Sequence, residues 1–196
     1  MDGVVVFDLF GVIARTQTPQ ARWRIEQLAG VSGEVFWDAY WECRPAYDEG
    51  QPSEEYWRAV ANSLGTRFEN VEALVAADLA SWCDADGRMV TLVTELAEQG
   101  RTLGLLSNII EDLVPRFEAR HDDWLRHFAS LTYSCRIGVA KPDPRAFEIC
   151  AERLGVRPAD VVFFDDNEHN VAAARKVGMT AELFVSPTQV RELLAV

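Results

Sequence analysis

The chain has 196 residues, 48% of them hydrophobic and 26% charged, which suffices for one globular core or for a core with a small accessory domain. Its 19 Lys and Arg against 31 Asp and Glu give a net charge of −12, which disfavours nucleic acid and anionic membranes as partners. The sequence has no apolar run of membrane-spanning length and no signal-type segment at its start, so we expect a cytoplasmic protein.

Five short apolar runs separated by helical patterns predict an α/β fold with a parallel sheet. Their nearly continuous apolar character is typical of strands that are buried on both faces. The predicted strands are Val4–Asp8, Thr102–Ser107, Leu131–Ser134, Val161–Asp165 and Ala181–Val185.

Three amphipathic patterns after residue 86 predict helices. Each is closed by a glycine, the residue that most readily adopts the left-handed conformation at a helix end. The predicted helices are Gly87–Gln99, Pro144–Leu154 and Asn170–Val177, closed by Gly100, Gly155 and Gly178.

Residues 16–85 differ from the rest of the chain, since they hold five of the six tryptophans and no strand-like alternation. Their pattern predicts several amphipathic helices, with breaks near Gly30–Gly33, Pro45, Gly50–Pro52 and Gly65. We therefore expect a helical domain at 16–85, inserted into a core made of residues 1–15 and 86–196.

Polar residues stand at the ends of the first two predicted strands. Asp8 ends the first, and Ser107 and Asn108 end the second. Because ligands of open α/β sheets bind beyond the carboxyl ends of the strands, Asp8 is a candidate nucleophile or metal ligand. A hydroxyl and an amide can hold an anionic oxygen. Each residue alone also fits a structural role, as a turn aspartate or a helix N-cap.

Charged residues mark two later positions. Lys141 lies among the turn residues Gly138–Pro144 and offers a point charge suited to phosphate, although a solvated surface lysine is the alternative. Asp165 and Asp166 are adjacent carboxylates at a strand end, where like charges usually need a cation. Mg²⁺ prefers such oxygen ligands and keeps several waters, so one or two carboxylates suffice.

Taken in chain order, Asp8, Ser107–Asn108, Lys141 and Asp165–Asp166 resemble the four motifs of the haloacid dehalogenase superfamily. The resemblance extends over essentially the whole chain. It implies a Rossmann-like core with a parallel sheet, and it identifies residues 16–85 as the all-helical cap domain of such proteins.

Within that superfamily, Gly50–Trp57, the Ser107–Asn108 pair and Phe163–Asn167 are most similar to small phosphatases that act on sugar phosphates. The resemblance implies a magnesium-dependent hydrolase of small phosphate monoesters that forms an aspartyl-phosphate. It also implies that Ser107 and Asn108 hold phosphate oxygens, and that Lys141 neutralises charge and orients the nucleophile.

The resemblance assigns the nucleophile and the metal ligands as well. Asp8 would attack phosphorus, and Mg²⁺ would be held by Asp8, the backbone carbonyl of Phe10 and Asp166. Asp165 would be a further metal contact or an acceptor behind the ligands. Mn²⁺ suits the same oxygen ligands.

Phe10 departs from the pattern of the family's phosphatases, which usually carry a second aspartate two residues after the nucleophile. That aspartate moves a proton, which a phenylalanine cannot do, and such help is typically worth about 10²–10⁴ in rate. The sequence therefore predicts a slow enzyme, a good leaving group, or a proton donor from elsewhere, either His169 or a residue of the cap.

Two alternatives to the phosphatase follow from the same position. An aromatic residue there resembles the metal-independent 2-haloacid dehalogenases, and it also fits a weakly active or non-catalytic protein that binds phosphate ligands. Asp165 and Asp166 favour the phosphatase, because the dehalogenases lack this acidic pair and use no metal.

The predicted cap is expected to set specificity, with Arg44 and Tyr47 as candidates to face a pocket and a structural role as the alternative for both. Its tryptophans, at helix-like spacings among apolar residues, are expected to pack: Trp23, Trp37, Trp41, Trp57 and Trp82. The expected partner is a small phosphate ester, and the sequence leaves monomer and homodimer open.

Overall fold

A five-stranded parallel sheet lies at the centre of the fold in the computed structural model, which describes residues 3–196. The spatial order β3-β2-β1-β4-β5 is that of an α/β fold with crossover connections. The strands are β1 (Val4–Phe7), β2 (Leu103–Ser107), β3 (Phe128–Tyr133), β4 (Val161–Asp165) and β5 (Thr180–Leu183).

Ten helices accompany the sheet within these residues: α1 (Pro19–Ala29), α2 (Glu34–Asp48), α3 (Ser53–Ser63), α4 (Val71–Ser81), α5 (Gly87–Glu98), α6 (Val114–Leu125), α7 (Ser134–Ile137), α8 (Pro144–Leu154), α9 (Glu168–Lys176) and α10 (Pro187–Leu194). All five predicted strands and all three predicted helices are present, with ends shifted by at most three residues. None of these helices has the length and apolar character that crossing a bilayer requires.

Two hydrophobic clusters cover the two faces of the sheet. Side chains alternate along β1, so that Val5 and Phe7 join the cluster containing α5, α6 and α10. Val6 faces the other way and joins a cluster with Phe147 of α8 and Val171 of α9. Helices on both faces leave the strand ends as the place where polar side chains can gather.

Helices α1 to α4 form the predicted helical insertion, and the structure assigns no strand to Pro19–Ser81. Buried insertion residues such as Tyr40 and Trp57 belong to the same cluster as Val5 of the sheet. The insertion therefore packs directly on the core, and the division into two domains stays a prediction.

The predicted break at Pro45 is wrong, because α2 continues through it to Asp48. An interior proline removes one backbone hydrogen bond and normally kinks or ends a helix. Here the last turn is held by the 2.8 Å ion pair between Arg44 and Asp48 and by the burial of Tyr47.

The tryptophans of the insertion divide into two groups. Trp37, Trp57 and Trp82 are buried as predicted. Trp23 is 62% exposed, so the packing prediction is wrong for this residue. Trp41 is 48% exposed but packs edge-on against Tyr40, with ring centroids 4.9 Å apart. Helical spacing shows which residues share a face, but it does not fix which face turns inward.

Candidate active site

The carboxyl ends of β2, β1 and β4 lie side by side at one edge of the sheet, and polar residues follow each of them. Asp8 directly follows β1, Ser107 ends β2 and precedes Asn108, and Asp165 ends β4 and precedes Asp166. The topology thus gathers residues that are up to about 160 positions apart in the sequence.

A cavity of about 250 Å³ lies above these strand ends. It is lined from the core by Asp8, Phe10, Lys141 and Asp166, and from the insertion by Arg44 and Asp48, among others. Core and insertion therefore enclose one common space, with the carboxylates on one side.

Lys141 is buried between two carboxylates. Its Nζ lies 2.6 Å from Oδ1 of Asp8 and 2.7 Å from Oδ2 of Asp165. The backbone of Lys141 is held by the side chain of Asn108, which donates to the Lys141 carbonyl and accepts from the Lys141 N–H, both at 2.8 Å. The ammonium is thereby fixed against Asp8.

Asp165 is completely buried, and both of its oxygens accept hydrogen bonds from the protein. Oδ1 accepts from the backbone N–H of Asn167 at 2.8 Å and from Nδ2 of Asn170 at 3.0 Å. Oδ2 accepts from Lys141 at 2.7 Å and from Asn170 at 3.1 Å. Asp165 therefore fits the role of an acceptor that positions Lys141 better than it fits the role of a metal ligand.

Asp8, Asp165 and Asp166 form a cluster in which one oxygen from each carboxylate lies within 4.8 Å of the others. Gly11 makes the approach possible, because a Cβ at this position would lie 1.9 Å from Oδ2 of Asp166. Its φ of +88° is also a conformation that side chains rarely adopt.

The electrostatics of the cluster follow from burial. Burial raises the pKa of Asp8 to about 7, although the ammonium of Lys141 opposes the shift. Burial also raises the pKa of Asp166, and Asp165 adds to this effect. Burial lowers the pKa of Lys141, but the attraction of Asp8 and Asp165 outweighs it and raises the pKa overall. The cluster holds negative charge that the protein alone compensates incompletely.

The residues fit a hard divalent cation. Asp8 and Asp166 supply carboxylate oxygens, and Asp166 is exposed to solvent, which leaves room for bound water. Within residues 3–196, no hydrogen bond is made to the carbonyl oxygen of Phe10, so that oxygen is also free to coordinate. An all-oxygen donor set suits Mg²⁺ or Mn²⁺.

Two sequence candidates for phosphate binding have other contacts. Ser107 is fully buried, and its hydroxyl donates a long hydrogen bond of 3.4 Å to the Asn108 carbonyl. Asn108 lines the cavity while its amide holds the Lys141 backbone. Their role toward phosphate stays a prediction.

Phe10 lines the cavity and packs edge-on against Trp82 and Phe117, with ring centroids 5.2 and 5.9 Å apart. Its side chain has no proton to transfer, as the sequence indicates. His169, the proton donor suggested by the sequence, is exposed in the first turn of α9, and its backbone N–H bonds to Asn167.

On the insertion side, α2 supplies a buried polar network. Arg44 donates to Asp48 at 2.8 Å and to the Tyr40 hydroxyl at 2.6 Å, and Tyr40 donates to Asp78 at 2.8 Å. Tyr47 is buried instead against Tyr56, with ring centroids 4.2 Å apart. The sequence reasoning missed Asp48, whose one signal is its four-residue spacing from Arg44 on a helix.

The chain is similar to known hydrolases and phosphatases. A model of haloacid dehalogenase-like hydrolases matches residues 3–178. The chain is 28% identical to a phosphatase of Mycobacterium tuberculosis over 96% of this chain and 89% of that protein. It is also 28% identical to the fructose-1-phosphate phosphatase YqaB of Escherichia coli, over 90% and 93% of the two chains.

Among solved structures, a magnesium complex of an enzyme from Bacteroides thetaiotaomicron superposes with a TM-score of 0.78. The alignment covers 99% of this chain and 98% of that one at 18% identity, a likeness of fold alone.

Proposed function

The chain belongs to the haloacid dehalogenase-like hydrolase family and is a hydrolase, and we propose that it cleaves small phosphate monoesters with Asp8 as nucleophile. The observation that carries the proposal is the cluster of Asp8, Asp165 and Asp166 beside the buried ammonium of Lys141. A like-charged pair about 4 Å apart costs about 4 kcal/mol at an effective dielectric of about 20, before relaxation. Such a cluster has a clear use in binding a cation and a phosphate together.

The proposed cofactor is Mg²⁺, held by Asp8, the carbonyl of Phe10 and Asp166. We assign Asp165 to Lys141, because its two oxygens are already occupied by protein donors. When bound, the ion would offset the repulsion between the nucleophile and the anionic phosphate. The Bacteroides enzyme of the same fold, solved as a magnesium complex, supports this choice.

The reaction would proceed in two steps. An oxygen of Asp8 attacks phosphorus while the bond to the leaving oxygen breaks, which gives an aspartyl-phosphate and an alkoxide that takes up a proton to become the alcohol. Water then attacks the same phosphorus, and the phosphate leaves Asp8. Lys141 keeps Asp8 in one orientation through the 2.6 Å contact and offsets part of the charge that develops. Ser107 and Asn108 would face the phosphate oxygens.

The proposed substrate is a sugar phosphate. A cavity of about 250 Å³ admits a small molecule, and the E. coli relative is named a fructose-1-phosphate phosphatase. Of the two specificity candidates, we propose Arg44, because it lines the cavity whereas Tyr47 is buried against Tyr56.

A metal-independent dehalogenase is the second candidate, favoured by the aromatic side chain of Phe10 in the cavity. Such an enzyme would displace halide from a 2-haloacid without a cation. Asp166 argues against it, since a third carboxylate beside Asp8 and Asp165 adds repulsion that only a cation or a proton relieves.

The test is phosphate release from a panel of hexose phosphates and para-nitrophenyl phosphate, with Mg²⁺ and with EDTA. We expect release with Mg²⁺, its loss in EDTA, and a decrease of at least about 10³-fold in Asp8→Asn. Asp122→Asn, an exposed carboxylate on α6, is the matched control and should retain the rate. Halide release from 2-haloacids in EDTA, with no phosphate release, would replace the phosphatase by the dehalogenase.

A further inference from the structure

The proposed reaction needs a group that moves protons, and Phe10 is not one. An alkoxide leaving group needs a proton, and the water of the second step must lose one. The ionisable side chains that line the cavity are Asp8, Arg44, Asp48, Lys141 and Asp166.

Four of these five are unsuited to the task. Asp8 is the proposed nucleophile, and Asp166 is assigned to the cation as a member of the carboxylate cluster. Lys141 is held as an ammonium by two carboxylates, and its pKa is raised. Arginine stays protonated at any pH an enzyme meets. Asp48 remains.

We propose that Asp48, at the end of α2, is the general acid and base that takes the place of the missing aspartate at position 10. The inference rests on the proposed phosphatase function. The proton would thus come from the helical insertion rather than from the core, where Asp8 lies.

The geometry of Asp48 leaves one oxygen available. Oδ1 accepts a hydrogen bond of 2.8 Å from Nε of Arg44. Oδ2 accepts no hydrogen bond from any residue in the range 3–196. It is also not one of the fully buried polar atoms that lack a hydrogen-bond partner. Asp48 lines the cavity. Arg44 holds one of its oxygens, and we assign the other to the substrate.

The position of Asp48 is set by the core as well as by the insertion. The hydroxyl of Ser134, the first residue of α7 directly after β3, donates to the Asp48 carbonyl at 2.5 Å. Two residues later, Gly50 has φ +105°, and a Cβ there would lie 2.9 Å from the Cys135 carbonyl oxygen. The end of α2 is thus pinned against the core beside the strand ends, as a group acting on a core-bound phosphate requires.

Asp48 holds its proton more tightly in this protein environment than an aspartate in water does. Burial raises the pKa of Asp48, and Arg44 and then Lys141 oppose this without cancelling it. The other ionisable groups that interact with it are Asp78 of α4 and Tyr56 of α3. A general acid works best when its pKa approaches the working pH.

The proton inventory closes over one turnover. As Asp8 attacks and the ester P–O bond breaks, the proton on Asp48 passes to the leaving oxygen and the alcohol departs. In the second step, the carboxylate of Asp48 accepts a proton from water as its oxygen bonds to phosphorus and the P–O bond to Asp8 breaks. Asp48 and Asp8 both return to their starting states.

The test is the dependence of Asp48→Asn on the leaving group. Asparagine keeps an oxygen for Arg44 but cannot move a proton. We expect kcat/KM for the hexose phosphate that the wild type cleaves fastest to fall about 10²–10³-fold. For para-nitrophenyl phosphate, whose leaving group departs as an anion, we expect a decrease of less than about tenfold.

The ratio of the two kcat/KM values does not depend on the fraction of folded enzyme, so partial misfolding cannot produce the expected result. Glu49→Gln, an exposed carboxylate in the same turn, is the control and should keep the wild-type ratio. Equal losses on both esters, or no loss, would overturn the role of Asp48 while the phosphatase stands. A wild type that releases phosphate from no ester would overturn both proposals.

Discussion

Replacing Asp8 by asparagine should stabilise the protein in EDTA above neutral pH. Asp8 is 7% exposed, and burial raises the pKa of its carboxyl from 3.8 to about 7. Between these values the folded state binds a proton more tightly than the unfolded state does. The free energy of unfolding of the wild type therefore falls as pH rises from about 4 to about 7 and is then constant with respect to this group. Asparagine does not titrate.

The size of the effect follows from the two pKa values. At about 1.4 kcal/mol for each pH unit, the difference between 3.8 and about 7 corresponds to at most about 4 kcal/mol. The attraction of Lys141 is already contained in the raised pKa, since it lowers what burial alone would produce. The charge of Lys141 keeps Asp165 as a partner after the substitution. We expect a gain of about 2–4 kcal/mol at about pH 8.

The assay is urea unfolding of both proteins in EDTA at several values between about pH 5 and pH 8. The quantity of interest is the difference in unfolding free energy between variant and wild type. Asp48 and Asp78, whose pKa values burial also raises, titrate in both proteins and cancel in the difference. The difference should grow with pH. A difference that is constant over this range would refute the raised pKa of Asp8, and one that decreases would mean that the ion pair with Lys141 outweighs burial.

Two further substitutions test the geometry around the cluster. Gly11→Ala should displace Asp166, raise the Mg²⁺ concentration for half-maximal activity at least tenfold, and lower stability by about 1–3 kcal/mol. Gly155→Ala is the control, because Gly155 also has a positive φ (+70°) but open space around a Cβ, so this substitution should cause backbone strain only. An equal Mg²⁺ requirement in both variants would contradict the role of Gly11. Arg44→Lys keeps the positive charge but loses the planar guanidinium that donates to both Asp48 and Tyr40. This substitution should lower kcat/KM for the preferred hexose phosphate about tenfold more than for para-nitrophenyl phosphate. An equal decrease in kcat/KM for every ester in the panel would mean that Arg44 has a structural role only.

The fold could be predicted from the sequence wherever local pattern and tertiary packing agree. Buried parallel strands are continuous apolar runs, so the order of apolar residues along the chain predicts β1, β2 and β4. The helix α6 is not among the predicted helices, although its buried residues, such as Phe117, His121 and Trp124, recur at helical spacing. Its start at Leu113 carries no capping side chain, and its backbone departs from helical geometry at His121. Pro45 misleads for a different reason, since a local rule is overruled by the contacts of Arg44 and Tyr47 in the tertiary structure.

The site divides along a similar line. Asp8, Lys141 and Asp165 follow strands or rigid turns, and their meeting could be expected because parallel strands share one carboxyl edge. Asp48 could not be found in this way. Its relation to the strand ends depends on how α2 packs on the core, through Ser134 and the close approach at Gly50, and no periodicity encodes such a contact.

Charge balance connects the cation, the substrate and the proton. The three clustered carboxylates and the ammonium of Lys141 together carry −2, and the Arg44–Asp48 pair adds nothing while Asp48 is ionised. In a protein of net charge −12, a phosphate dianion would meet a repulsive cavity. A divalent cation brings the cluster to neutrality, and a proton on Asp48 then leaves Asp78 of α4 as the carboxylate that still interacts with Arg44. The cavity is therefore least repulsive to phosphate when the metal and the proton are both present. The proposed reaction requires these same two components.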